Sequence, residues 1–542
     1  MAPGLLSAGL GSVPAAQTYL DISQGNRVFD SLYDSELPAH VGGGICGPGY
    51  SAAVVERAES APADIVPGLL AATLHRAGEE CEVRSAGVGE LRGLVRRLRG
   101  NGLLIAIERA PPGDNEALAI GIAGEGFSGD LTSDSTRTDG YVLTTDIAPT
   151  ILERLGVGVP PAMSGQAIRG EGTVDVASIE ALGERMAVVS ERRGPVIGVS
   201  LLVWLVVFGL TSLIGSGRVA RVAVRLFALS VVYLPLLLLV GAALEPSRES
   251  EQLLAMFGAP LLAALTLCVL PGYRALAVAT GLVVLAYALD VIAGSPLTSL
   301  SLLGPNPGLG VRFYGIGNEL EALLAVLVLA GTGTALTGFW PALDNRRCAI
   351  AFLATGLLAA FVFAAGSFGA DVGAAIVMPI GAAAAVSKVA TPWRHTAPAL
   401  IVAALFLFVG FIAAIDLLTG ANAHLTRSVL DAGGLGDLAD VAQRRLRLSA
   451  HSFTRPVLLA FLPLVLGLAA LVAWKRDALR TWLRDAPALQ AGLLGALAAT
   501  VAGTLANDSG ALVLEVGSAY LLAFAGYAWA EGTARSSTLL SS

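Results

Sequence analysis

Charge is what this chain has least of. Only 14% of its 542 residues are Asp, Glu, Lys or Arg, against 54% hydrophobic ones. That is too little polar cover for a soluble protein of this length. The formal charge of −7 is mild and implies no nucleic-acid partner. A nucleotide-binding loop is missing, which argues against ATP-driven transport within the chain. Histidine is scarce too, with only His40 and His75 before residue 190. No cofactor motif and no metal-ligand set can be read. The opening stretch "MAPGLLSAGLGSVPAA" lacks the basic n-region and unbroken apolar run of an export signal.

What is present is apolar and unevenly spread. Residues 1–190 are of ordinary polarity, while 195–530 form long apolar runs separated by short charged loops. Runs near twenty residues match the hydrocarbon thickness that a helix must cross. The pattern predicts an α/β soluble domain over 1–190, an all-α polytopic membrane bundle over 195–530 and a short cytoplasmic tail over 531–542. Eleven spans are expected: 195–215, 226–244, 252–270, 275–293, 318–338, 348–366, 370–387, 396–418, 456–473, 488–506 and 509–530.

Arg218, Arg221, Arg225, Arg274, Arg346, Arg347, Lys388, Arg394, Lys475, Arg476, Arg480 and Arg484 crowd one set of short loops. That set marks the cytoplasmic side. The soluble domain is then expected to be extracytoplasmic, in the plasma membrane of a bacterial cell; with no export signal in view, either the true start lies upstream of Met1, the preferred expectation, or the orientation is reversed. Cys46 and Cys81 would share an oxidising compartment and could pair, or remain two small unpaired side chains.

Within the soluble domain, residues 62–77 and 89–99 have helical periodicity. "GLLIAIE" (102–108) and "ALAIGIAG" (117–124) read as buried strands. In "TSDSTRTDGYVLTTDIAPTILERLGVGVPPAMSGQAI" (132–168), Asp146 reads as a helix N-cap and Gly156 as the helix stop. This stretch resembles the C-terminal scaffold of the alkaline-phosphatase superfamily of phosphodiesterases and sulfatases. There a strand leads into "D-x-A-P-T-h-h-x-x-L-G" and a "P-x-x-M-x-G" turn. The resemblance implies a partial phosphatase-like fold. Its chemistry would need two metal ions held by Asp and His, but Glu108-Arg109 stand where the family ends a strand in Asp-His. A binding or docking module is expected rather than a catalyst. "GIGNE" and "NDSG", below, look like features of uncharacterised bacterial polytopic proteins that carry such an ectodomain.

The scarce acids of the membrane region fall at one level. Asp290 and Asp416 end outgoing spans, and Glu319 and Glu321 begin an ingoing one. Asp371 and Asp508 sit at outward turns, and Glu515 lies about 10 Å deep in the last span. Ionisable groups at such depth face a bundle interior or a wet cavity and are candidate functional residues. Three outward tips, "GIGNE" (315–319), "GADVG" (369–373) and "NDSG" (507–510), combine Gly with acidic or amide side chains, and Asn318, Asn507 and Ser509 could join a site there. "GSFGADVGAAI" (366–376) echoes "GTLANDSGALV" (503–513), as a parallel repeat of hairpins would. Asp371 and Asp508 also fit as N-caps. In loop 419–455, Arg444, Arg445 and Arg447 suggest an amphipathic helix near anionic lipid head groups, or one packed on the soluble domain.

Three functions fit. The protein could hold a phosphate-bearing or lipid-linked envelope substrate at its outer face. It could be a secondary transporter with an outer carboxylate site for a cation or proton. It could be a membrane transferase using Glu515 or Asp508 as a general base.

Overall fold

The structure, a computed structural model, describes residues 1–390 apart from 12, 48, 62, 99–101, 110–116, 306 and 311–312, parts of 446–475, and residues 476–539. The chain divides into two compact units. One is Met1–Glu191 with Pro305–Phe313, the other Arg192–Gly304 with Tyr314–Ser542.

In the first unit, β1 (Ala2–Ser7), β2 (Leu104–Ile107), β3 (Leu118–Ala123) and β5 (Tyr141–Leu143) form a mixed sheet in the order β2-β3-β1-β5. β1 is antiparallel to β3 and parallel to β5, with Leu5 opposite Tyr141 and Ser7 opposite Leu143. β4 (Asp130–Thr132) pairs with β6 (Arg169–Glu171) in a small separate sheet. Helices α1 (Ala15–Gln24), α2 (Ala52–Glu59), α3 (Leu69–Ala77), α4 (Val88–Arg97) and α5 (Thr144–Arg154) complete the unit. Leu6, Ile120, Ile122 and Val142 from the sheet meet Ile22 and Ile147 from α1 and α5 in the core. The helix expected from 62 starts only at Leu69, because Gly68 precedes it in the left-handed region at φ 75°. Cys46 and Cys81 are joined in a disulfide, their Cα atoms 5.7 Å apart.

Asp146 is not an N-cap. α5 starts at Thr144, a turn earlier than expected, because the fully buried Asp146 carboxylate reaches back to the Leu143 N–H (3.0 Å). It also accepts from Ser133 Oγ (2.7 Å), Ser135 Oγ (2.6 Å) and Gln166 N (2.9 Å). The residue is therefore a hub that ties β5, α5 and the turn after it together. Gly156, at φ 69°, does end the helix, and Val157 N returns to the Leu152 carbonyl (2.9 Å).

The segment Pro305–Phe313 packs beside the carboxyl end of β1. Arg27 donates from Nη2 to the Gly310 carbonyl (2.8 Å) and from Nη1 to the Gly9 carbonyl (3.2 Å). Its guanidinium lies 5.7 Å from the Phe313 ring centroid. The Tyr141 hydroxyl donates to the Pro307 carbonyl (3.2 Å), and burial pushes its phenol up to about 12, so it stays a donor at neutral pH. Hydrogen bonds from a charged donor contribute roughly 1.5–3 kcal/mol and neutral ones about 1.

The second unit contains α6 (Val176–Ile214, whose first turns lie in the first unit), α7 (Gly217–Leu244), α8 (Arg248–Leu253), α9 (Ala259–Val269), α10 (Tyr273–Ile292), α11 (Asn318–Phe339), α12 (Asn345–Ala364) and α13 (Val372–Val389). It closes with α14 (Arg476–Trp482), α15 (Pro487–Ala506) and α16 (Gly510–Leu539). Among the described residues nine helices, counting Arg248–Val269 as one, are long and apolar enough to cross a membrane. The chain is a multi-pass membrane protein. Of the eleven spans expected, 396–418 lies outside the described residues and 456–473 is described only in part. The first span extends back to Val176, because the polar turns before 195 are helical without being apolar.

Two irregularities show how backbone polarity is satisfied where water is absent. Pro235 interrupts α7 without an N–H of its own, and the Val231 carbonyl one turn back accepts the Tyr520 hydroxyl instead (3.2 Å). Between α8 and α9, Leu254–Gly258 form a π turn, and the Trp204 indole donates to the Met256 carbonyl (2.8 Å). Elsewhere small residues let helices touch: Gly381 of α13 and Gly495 of α15 each leave no room for a Cβ against the other's carbonyl.

The first unit also buries Asp21, held by Gln17 Nε2 (2.7 Å) and Gln24 Nε2 (3.1 Å). Desolvation pushes its carboxyl from 3.8 up to about 7, against those donors and the nearby Arg27 and Arg57. Folded chains then hold this proton where unfolded chains have lost it, so the contribution to stability falls as pH rises from about 4 to 7 and is flat above. In the full-length protein, Asp21→Asn should slow hydrogen exchange across 15–25 relative to wild type at pH 7.5, with the advantage gone near pH 4. An advantage equal at both pH values would refute the assignment.

Candidate functional site

Three helix starts build the site. Gly317 is the extended residue before α11, which puts Glu319 and Glu321 in its opening turns, where the helix dipole favours negative charge. Asp371 caps α13, its Oδ2 accepting from Ala374 N (2.8 Å). α15 ends at the extended Asn507, and α16 resumes at Gly510. The three glycine-containing tips, distant in sequence, meet: Ile316 N donates to the Gly369 carbonyl (3.0 Å) and Asn318 Nδ2 to Asp508 Oδ1 (3.1 Å).

At the centre Asn507 donates from Nδ2 to Glu321 Oε2 (2.8 Å) and to Asn318 Oδ1 (3.1 Å). Its own Oδ1 accepts from Ser509 N (2.9 Å), which fixes the amide's orientation. Glu321 is fully buried, and Asp371 and Asn507 are nearly so. Gly373 faces the carboxylate so closely that a Cβ there would stand 2.0 Å from Glu321 Oε2, and one on Gly503 would stand 3.3 Å from Oε1. Only glycine at position 373 lets the carboxylate lie against the α13 backbone.

Arginines and turns hold other acids of this unit. Glu319 pairs with Arg193 (3.4 Å), and Glu251, also buried, with Arg192 (3.1 Å). Asp290 accepts from Leu297 N (3.1 Å) and Thr298 N (2.7 Å), closing the turn after α10. From the same turn Ser295 Oγ accepts from Gly315 N (2.9 Å).

Glu319, Glu321, Asp371, Asn507 and Asp508 are thus brought together, but in unequal roles. Asp508 takes the Asn318 amide rather than capping α16, and the Ala511 N–H is met by Ser452 Oγ (2.9 Å). The echo between 366–376 and 503–513 therefore does not extend to equivalent caps. Glu515 lies a turn and a half into α16, half-buried, with Oε1 buried and no hydrogen-bond partner for that atom among the described residues. Ser449 and Ser452 escaped the sequence reading. Ser449 Oγ donates to the Thr504 carbonyl (2.6 Å), and their place in a long polar loop carried no signal. Asp416, Arg444, Arg445 and Arg447 lie outside the described residues.

His40 and His75 are both exposed in the first unit. Among the described residues no group of three or more His, Cys, Asp or Glu side chains could hold a metal ion.

The close fit generates a test. Gly373→Ala should destabilise the full-length protein in detergent by about 1–3 kcal/mol, as overpacking does. In a Glu321→Ala background the same change should cost nothing, since the colliding oxygen is gone. Thermal melts of the four variants measure this, and additive losses would contradict the placement of Glu321.

No family model, no curated protein and no solved structure matches the chain.

Proposed function

We propose that this multi-pass membrane protein is a secondary transporter of the bacterial cell envelope, with Glu321 as the group that takes up and releases the coupling proton. The observation that carries the reading is the full burial of Glu321 at the meeting of three helix starts, with Asn507 donating to its carboxylate. Desolvation makes a buried carboxylate bind whatever neutralises it, and ionisable groups within a helix bundle commonly serve ion or proton pathways. Asp508 and Glu319 supply further oxygens on the approach to it, and Asn507 links Glu321 to the α15–α16 turn.

A phosphate-bearing substrate at this same place is disfavoured. Helix N-termini attract anions, but here Asp371, Glu319 and Glu321 already occupy those positive ends, and like charge would repel a phosphate. The phosphatase-like character of the first unit and its location outside the cytoplasm, read from the basic loops, belong to the same proposal: a soluble domain that binds the transported solute without hydrolysing it.

Infrared titration of the reconstituted protein tests the central claim without knowledge of the solute. A pH-dependent protonated-carboxyl band is expected, lost in Glu321→Gln and displaced in Asn507→Ala. Proton-coupled uptake should fall at least tenfold in Glu321→Gln and stay unchanged in Glu249→Gln, an exposed control. A band that persists in Glu321→Gln would overturn the proposal.

A further inference from the structure

Asp290 lies in the last turn of α10, the negative end of the helix dipole, where an acid is disfavoured and a cation is favoured. It is buried, with 8% of its surface exposed. The ion pairs of this unit's other buried or half-buried acids join Arg192 to Glu251, Arg193 to Glu319 and Arg225 to Glu531. Among the described residues no Lys or Arg side chain pairs with Asp290. Backbone alone meets its charge: Oδ1 accepts from Leu297 N (3.1 Å) and Oδ2 from Thr298 N (2.7 Å).

The turn that supplies those amides holds more oxygen than it can use. Connections normally run over a surface, yet Ser295, Thr298 and Ser301 are all fully buried. Ser295 would ordinarily take the Leu297 or Thr298 amide, two or three residues on. Here Asp290 has both, and Ser295 Oγ accepts from Gly315 N instead (2.9 Å). One hydroxyl is left over. Thr298 Oγ1 has no hydrogen-bond partner among the described residues, although the residue is fully buried. A valine of the same shape would avoid that loss. The Thr298 amide already rests on Asp290 Oδ2, so its hydroxyl stands within one residue's reach of the same carboxylate.

We propose that Asp290 and the Thr298 hydroxyl, with carbonyl oxygens of the surrounding turn, form a binding site for one sodium ion. Carboxylate, hydroxyl and carbonyl are the ligands that hard cations take. Helix C-terminal ends and unwound carbonyls serve this purpose within membranes. Charge selects the valence: one carboxylate neutralises one sodium ion, whereas calcium would leave a net charge in a medium that penalises it. The site lies wholly in the second unit and does not rest on Glu321 carrying a proton.

Binding of radioactive sodium to the full-length protein in lipid nanodiscs tests the proposal. Saturable binding of one ion per chain is expected, displaced by unlabelled sodium but not by calcium at the same concentration. Asp290→Asn should abolish binding, and Thr298→Val should weaken it about tenfold, as loss of a single ligand would. Thr280→Val removes a buried hydroxyl of the same helix that already bonds to the Leu276 carbonyl (2.9 Å), and should bind like the native chain. Glu321→Gln should also bind normally, which separates this site from the centre at Glu321. Should Asp290→Asn fail to fold, Thr298→Val decides. The proposal falls if the native protein shows no saturable binding, if Thr298→Val binds as tightly as the native chain, or if calcium displaces the sodium. It falls equally if binding is lost in Glu321→Gln and kept in Asp290→Asn.

Discussion

A carboxylate withdrawn from water must be answered by donors, by charge or by a proton. The centre of the membrane unit is organised around answering Glu321. The carboxylate sets where Asn507 must point, and Asn507 in turn holds Asn318 and the turn into α16. Gly373 exists in a form that lets the oxygen lie against α13. The three helix starts meet at this acid, with Asn507 donating to it from the turn before α16 and Gly373 giving it room on α13. Close glycine contacts between α11, α13 and α15 bring the backbones near enough for short polar side chains to reach.

The same economy of polar groups runs through the bundle. At two breaks in the helical ladder a named side chain takes up a carbonyl, Tyr520 at Val231 and Trp204 at Met256. The first unit follows the same rule, with Asp146 collecting four donors from three pieces of chain. In both units a buried acid is the node that fixes how separate elements come together.

Much of this was legible in the sequence, and for a physical reason. A span announces itself by twenty apolar residues in a row, so the nine described crossings fall close to where hydropathy puts them. The acids stand out because so few interrupt those runs, and the three tips that carry them do meet. What was not legible is what depends on distant partners. Glu515 shows its depth in the sequence itself, whereas the hydrogen bond to Glu321 comes from Asn507, 186 residues away. Asp146 and Asp508 both read as caps from local spacing, but the distant Asn318 amide claims Asp508, and Asp146 bonds back to the Leu143 N–H three residues earlier, so that α5 starts ahead of it. The hydrogen bond from Arg27 to the Gly310 carbonyl joins residues 283 apart, and no local pattern encodes it.

The wide turn at Leu254–Gly258 has a geometric corollary. One additional residue in a helix advances every later side chain by about 100° around the axis. Before the turn, Gln252 looks toward Ser200 (3.2 Å) and the Val196 carbonyl (3.4 Å); after it, Ala259 and Ala263 are buried. A regular helix would carry one of those two seams round into lipid. The bulge works as an azimuthal splice, letting a single rod keep two neighbours that lie on different bearings.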